Sequence, residues 1–262
     1  MPADVVVRAA GFAPVKGMRH LALPSVELDD HGPVGDREWC LVDVAARRVL
    51  RTVQHPALVG VVARVDAGRL SMTLPSGESV AAPPVPTGEV VECDYWGRSV
   101  RLVLTDGPHA ELCSRFLGRD VRLAAAPRGG VVFASPVTLV GTASLQDLAQ
   151  RVGRPVEPAR FRATLVVETD EPYAEDAWLG TDVRVGEAVL RVGGPVPRCA
   201  VIDHHPETGV KDARLLKALV ASRPTNAVGE PLLGVYAGVV GPGRLGAPAS
   251  THFEANQGWC RS

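Results

Sequence analysis

Cys199 is the residue in this chain best placed to do sulfur chemistry. It ends the apolar run Pro195-Val196-Pro197, follows the guanidinium of Arg198, and precedes a turn at Pro206-Glu207-Thr208-Gly209. A thiol beside a fixed cation is biased toward the thiolate, which is both a nucleophile and a ligand for soft metals. The other four cysteines read differently. Cys113 falls on the apolar side of a predicted helix, Cys40 and Cys93 alternate with apolar strand residues, and Cys260 lies in the last stretch of the chain. Small buried hydrophobes are the ordinary role of such thiols, and packing also competes with chemistry as the reading of Cys199. The five cysteines form no Cys-x-x-Cys pair. Their odd number argues against a disulfide framework and for a reducing compartment, so a cytoplasmic protein is expected. His204-His205 raises zinc, but adjacent histidines in an extended segment point apart, and no second His pair supplies the remaining ligands.

Only three of the 28 Lys and Arg residues are lysines, at 16, 211 and 217. Coding bias explains most of that asymmetry. Against it, Lys16 marks a place suited to a compact ammonium rather than a planar guanidinium. The formal net charge of the 262-residue chain is −1, with no basic block, which argues against non-specific nucleic-acid binding and against a membrane-surface stripe. No apolar stretch approaches the roughly 18 residues that cross a bilayer, and the start of the chain has no basic segment leading into an apolar core.

The elements that must position these residues are mostly short strands. Alternation predicts them at 5–8, 40–44, 60–65, 70–74, 89–93, 100–104, 137–140 and 164–168, and a hairpin over 183–192 turning at Gly186-Glu187. Helices are predicted at 108–117, where Pro108 suits the first position and Gly118 the stop, at 143–152, capped by Thr142 or Ser144, and at about 212–222. The Ala/Gly/Pro-rich stretch 122–134 reads as a linker. The expected fold class is therefore mainly β with a few helices (α+β), its sheets curled into barrels or sandwiches. The expected division is a first domain over 1–124, a second over 125–250 and a loose tail over 251–262.

Several stretches, in order and spacing, resemble a known family. Phe161-Arg162, Tyr173-Ala174-Glu175-Asp176-Ala177-Trp178, Pro197-Arg198-Cys199 and Pro206-Glu207-Thr208-Gly209 resemble the MOSC domain, the module shared by molybdenum cofactor sulfurases and the mitochondrial amidoxime-reducing component. Ser135-Pro136 with Thr142-Ala143-Ser144-Leu145 resembles the opening of that domain, and Leu233-Gly234-Val235-Tyr236 a closing strand. Ala13-Pro14-Val15-Lys16 and Gly35-Asp36-Arg37-Glu38-Trp39 resemble its usual companion, the MOSC N-terminal β-barrel domain.

The resemblance implies a MOSC-type β-barrel packed against an N-terminal β-barrel-like domain, and a molybdenum-molybdopterin cofactor. It makes Cys199 the thiolate ligand of molybdenum. Lys16 and Arg37 become phosphate contacts, Arg162 and Arg198 pterin-side contacts, and Ser135 and Thr164 further cofactor-binding residues. The implied activity is a molybdenum-dependent oxidoreductase that reduces N-hydroxylated substrates by oxygen-atom removal. The chain contains no Cys-x₄-Cys-x₂-Cys cluster motif and no nucleotide-binding Gly fingerprint, so a separate electron-donor protein, a ferredoxin or flavin reductase, is expected beside the small-molecule substrate. Two alternatives stay open: a sulfur carrier that bears a persulfide on Cys199, and a non-catalytic carrier of the cofactor. A full sulfurase activity would also need pyridoxal phosphate, for which no fused domain is present. The chain departs from the family just after the cysteine, where Ile202-Asp203-His204-His205 stands in place of a threonine-rich stretch. Asp203 and His204 are accordingly expected as proton donors, with a solvated turn as the other reading. Gly17 stands in place of a serine, Thr164 of an asparagine and Ala247 of an aspartate.

Overall fold

The structure is a computed structural model that describes residues 3–246; the expected tail, Cys260 and Ala247 lie outside the described residues. Five strands, Trp39–Asp43, Arg48–Val49, Val85–Tyr95, Arg98–Asp106 and Arg122–Ala125, close a barrel. Its interior follows from period-two alternation: Val100, Leu102 and Leu104 point inward while Ser99 and Arg101 stay exposed. They meet Cys40, Val42, Cys93 and Tyr95 in one core. Beside the barrel, the strands Val62–Asp66, Arg69–Thr73 and Ser79–Ala82 form a three-stranded sheet. Helix α1 (Pro108–Leu117) covers it, burying Leu112 and Cys113 against Met72 and Leu58. The helix begins with Pro108 in its first turn and stops at Gly118, whose φ of 64° is left-handed, as the sequence signals predict.

The second lobe is built on an eight-stranded mixed sheet. Its order is Ala3–Asp4, Asp182–Val185, Ala188–Pro197, Leu232–Gly241, Val137–Gly141, Leu165–Val167, Val7–Phe12 and Leu21–Leu23. The two halves of the chain therefore interleave: strands from its beginning complete the sheet made by its end. Ala10 pairs with Leu165 and Ala9 with Val166. Helices α2 (Thr142–Val152) and α3 (Leu215–Ser222) bury Leu145, Leu148, Leu215 and Leu219 in one cluster with Phe161 and Ile202.

Three expectations are corrected. The linker read at 122–134 begins with a strand, Arg122–Ala125, that closes the barrel by pairing with both Trp39–Asp43 and Arg98–Asp106; its small alanines carry no strong periodic signal. Neither Thr142 nor Ser144 caps its own helix. The Glu175 carboxylate accepts from the Gly141 N–H (3.0 Å) and from the Ser144 hydroxyl (2.8 Å), and the Thr169 hydroxyl accepts from the Ala143 N–H (3.1 Å). Helix α3 starts at Leu215 rather than Asp212, because Asp212 is held outside the helix by a bidentate pair with Arg160 (2.7 and 2.8 Å).

Candidate functional site

The strand Ala188–Pro197 delivers Cys199 to the mouth of a cleft. It continues five residues past the predicted hairpin by slipping register against Leu232–Gly241 on both sides of Pro195. Backbone pairing ends where the Arg198 N–H donates to the Pro231 carbonyl (2.9 Å). A 3₁₀ turn, Ala200–Asp203, then carries the chain away. Cys199 is left half-buried, in the lining of a cleft of about 200 Å³ that it shares with Lys16, Arg162, Arg198 and Tyr236. A smaller cavity of about 60 Å³ adjoins it through Lys16 and Arg162, and adds His20, Asp36, Arg37 and Thr164.

Each cation arrives from a different element. The loop after strand Val7–Phe12 lies along the barrel edge, with the Lys16 N–H donating to the Trp39 carbonyl (2.8 Å) and the Arg19 N–H to the Val61 carbonyl (3.0 Å). Arg37 is held by its neighbour Asp36, which accepts from Nε (2.6 Å) and from Nη2. Arg162 ends the 3₁₀ turn Pro158–Phe161. Arg37 and Arg162 both have left-handed backbones, with φ of 49° and 50°. Such conformations are costly for residues with a Cβ and gather at functional sites. Arg198 is buried: its Nε donates to the Leu233 carbonyl (2.8 Å) and its Nη1 to the Phe161 carbonyl (3.0 Å). The turn at Pro206–Gly209 is fastened to the first lobe by Arg19, which donates to the carbonyls of Glu207 and Gly60.

The electrostatics are those of a site short of negative charge. Burial, then Arg37 and Arg162, lower the Lys16 ammonium to about 7. Burial and Arg37 lower Arg162 to about 10. Burial also lowers Arg198 to about 10, against the opposing pull of Tyr236 and Cys199. Burial, with Arg162 and Arg37, pushes His20 down to about 3, so its imidazole is neutral. Among the described residues no ion pair engages Lys16, Arg162 or Arg198, and Nη1 of Arg162 and Nη2 of Arg198 are buried without a hydrogen-bond partner. Asp36 is already committed to Arg37. Unpartnered buried guanidinium nitrogens are expensive. Arg162 and Arg198 both line the larger cavity, so the donor set fits a multiply charged anion at one end and a soft metal at the thiol end.

The structure brings Lys16, Arg37, Arg162, Thr164, Arg198 and Cys199 around these two joined cavities. It does not bring Ser135, which is half-buried in the loop before Val137–Gly141 and outside both linings, although its near neighbour Phe133 lines the larger one. Asp203 and His204 also lie outside both linings. Asp203 is buried, and its Oδ1 accepts from the Leu216 N–H (2.9 Å) at the start of α3. His204 Nδ1 bonds the Ala200 carbonyl (2.9 Å). Thr164 is tied to Thr138: its N–H donates to the Thr138 hydroxyl (3.0 Å), and its own hydroxyl accepts from the Thr138 N–H (3.2 Å). Sequence reasoning missed His20, Arg51, Tyr95, Trp96 and Phe133. His20 follows the Lys16 segment directly, and Trp96 precedes the glycine of a hairpin, which are the signals available for them. Among the described residues, no helix is long and apolar enough to cross a membrane.

The fold and site define a two-lobed β protein with a thiol and a cationic cradle between its lobes. The chain belongs to the MOSC domain family: the MOSC domain matches over residues 115–249, and the MOSC N-terminal beta barrel domain over residues 6–120. It is similar to mitochondrial amidoxime-reducing component 1 of Mus musculus, 24% identical over 270 residues that span 90% of this chain and 78% of that protein. The Danio rerio protein of the same name is 28% identical over 231 residues, spanning 79% and 70%. Molybdenum cofactor sulfurase of Oryza sativa subsp. japonica is 23% identical over 244 residues, 79% of this chain but only 29% of that longer protein. Among solved structures, the YuaD protein of Bacillus subtilis overlays 93% of this chain and 91% of its own, with a TM-score of 0.44 and 11% identity.

Proposed function

We propose that this protein binds molybdenum cofactor between its lobes and reduces N-hydroxylated compounds, with Cys199 as its own ligand to the metal. The observation that carries this reading is one thiol in a cleft with three cations that have no ion-pair partner among the described residues, two of which, Lys16 and Arg162, also line the smaller cavity. The names of its relatives, an amidoxime-reducing component and a molybdenum cofactor sulfurase, agree with it. When bound, the cofactor would supply the two-electron redox chemistry that oxygen removal needs.

The chain's own residues do the rest. Lys16, Arg37 and Arg162 hold the terminal phosphate through charge-assisted bonds, with Thr164 at the floor of the smaller cavity. Arg198, fixed by two carbonyls, lines the cleft beside Cys199 as a buried cation. Tyr236 and Lys16 are among the groups lining the cleft that can carry a proton. In the balanced reaction an N–OH compound takes up two electrons and two protons and yields the N–H compound and water. The electrons come from a separate donor protein of the ferredoxin or flavin-reductase kind.

The test is elemental and kinetic. Protein made in a host that synthesises molybdopterin should carry one molybdenum per chain and reduce benzamidoxime with an artificial electron donor. Cys199→Ser should fold normally and lose turnover. Full activity in that variant would discard the ligand assignment. Cyanide-labile sulfur without molybdenum would instead support the sulfur-carrier reading.

A further inference from the structure

Two aromatic side chains stand apart from everything used so far. Among the described exposed large hydrophobic residues, all but Trp96 and Phe133 are aliphatic. These two are 43% and 45% exposed, touch each other, and both line the cleft that holds Cys199. Their ring centroids are 5.3 Å apart at an interplanar angle of 80°, an edge-to-face pair. The Arg51 guanidinium lies 4.4 Å from the Trp96 ring centroid. Arg98, next to the hairpin tip, donates to the Val132 carbonyl and so anchors the loop that carries Phe133.

The backbone beneath Trp96 is unusual. Tyr95 pairs with Arg98, which leaves Trp96-Gly97 as a two-residue hairpin loop. Both have positive φ, 56° and 77°. That turn favours Asn-Gly, because the first position must tolerate a left-handed conformation, and a bulky side chain tolerates it poorly. Trp96 is not part of the barrel core, where its neighbour Tyr95 is the buried residue; its contacts are with Phe133 and Arg51 at the cleft mouth. A strained, solvent-facing tryptophan at a cleft mouth needs a reason outside the fold.

We infer that Trp96 and Phe133, braced by Arg51, form a substrate-selecting rim that grips flat, delocalised molecules by their ring faces as their N–OH group approaches Cys199. This rests on the reductase reading above and goes further, because it states which N-hydroxylated substrates the site prefers: aryl or heteroaryl ones over small aliphatic ones. Aromatic contact adds to the burial of a flat ring, while hydroxylamine itself has no ring to grip.

The experiment compares benzamidoxime with hydroxylamine in the cofactor-loaded wild type, Trp96→Asn and Phe133→Ala. Binding of benzamidoxime is also measured by calorimetry, without turnover. Each variant should weaken benzamidoxime binding and raise its KM roughly tenfold. Its kcat should change little, so that the ratio of kcat/KM for benzamidoxime over hydroxylamine falls about tenfold. Trp96→Asn should also raise Tm, because asparagine suits the turn. Unchanged benzamidoxime affinity in both variants overturns the rim, as does an equal loss for both substrates. A raised KM for the electron donor alone also overturns it and makes the patch a protein-docking site. If the wild type reduces neither substrate, the reductase reading fails, and the calorimetry still decides whether the rim binds flat molecules.

Discussion

Removing the ammonium of Lys16 should stabilise the protein without cofactor and weaken it with cofactor. Without cofactor, burial and the neighbouring Arg37 and Arg162 lower the pKa of this group to about 7 against an ordinary 10.5. At ~1.4 kcal/mol per pH unit, that difference means the folded protein disfavours the ammonium by roughly 5 kcal/mol at most. Water in the open cleft screens a good part of this, leaving about 2 kcal/mol. Lys16→Met removes the charge and keeps the stem, so cofactor-free variant protein should be about 2 kcal/mol more stable at pH 7, or some 4–8 °C in Tm. The sign can be followed with pH. Below pH 7 the folded and unfolded chains both carry the ammonium, and the penalty is fully present. Between 7 and 10.5 the folded chain sheds its proton while the unfolded chain keeps it, so wild-type stability climbs with pH. Above 10.5 the penalty is gone. Urea unfolding of cofactor-free wild type and variant at pH 7 and pH 10 should therefore show a gap that closes with pH. With cofactor bound the order should reverse, because the lost charge-assisted bond costs about 1–3 kcal/mol of retention. A variant less stable than wild type at pH 7 without cofactor would refute the reasoning. Lys16 would then be a structural residue held over the Tyr95 ring, 5.4 Å from its centroid.

Other outcomes follow from the same geometry. Asp203→Ala should cost about 1 kcal/mol of stability by uncapping α3 and leave kcat per folded molecule unchanged; a selective loss of kcat would return Asp203 to the chemistry. Gly234→Ala should be destabilising by about 2 kcal/mol or more and should displace Arg198. Gly234 has φ of 74°, and a Cβ there would lie 2.4 Å from the Leu139 carbonyl oxygen and 3.1 Å from Arg198 Nη2; denaturant unfolding measures the loss. The hydrogen bonds from Arg160 hold Asp212 down at about 2 against 3.8. The contribution of this pair is present above about pH 4 and lost as pH falls toward 2, on the order of 1 kcal/mol after screening. Asp212→Asn should flatten stability over that range in acid unfolding.

What could be read in the chain depended on how local each cause was. The strand at 98–106 was legible because apolar residues alternate with polar ones. Helix α1 was legible because a proline start, an apolar stripe and a glycine stop coincide over 108–118. The strand Arg122–Ala125 was not, since its interior positions hold small alanines and its partners lie elsewhere in the chain. In the site, Cys199 and Arg198 stood out from their own neighbours. Lys16 was marked by the scarcity of lysine, Arg37 and Arg162 were reached through family resemblance, and their convergence depends on pairing between Val7–Phe12 and Leu165–Val167, which no local pattern encodes. Asp203 and His204 were expected near the thiol because they follow it closely. The 3₁₀ turn Ala200–Asp203 rotates each successive side chain about 120°, and Asp203 ends at the start of α3 instead.

The interleaved sheet also sets an order on biosynthesis. As the chain leaves the ribosome, strand Val7–Phe12 can pair at once with Leu21–Leu23, but its other partner, Leu165–Val167, follows only after the whole barrel has been made. The barrel strands, from Trp39 to Ala125, are contiguous and can close while translation continues. One edge of Val7–Phe12 must wait unpaired beside them, while the segment carrying Lys16 can already bond Trp39 at the barrel edge. A product terminated before the far lobe thus has the barrel with Lys16 and Arg37 but lacks Arg162, Arg198 and Cys199, so the two adjoining cavities exist only in molecules whose synthesis has reached that lobe.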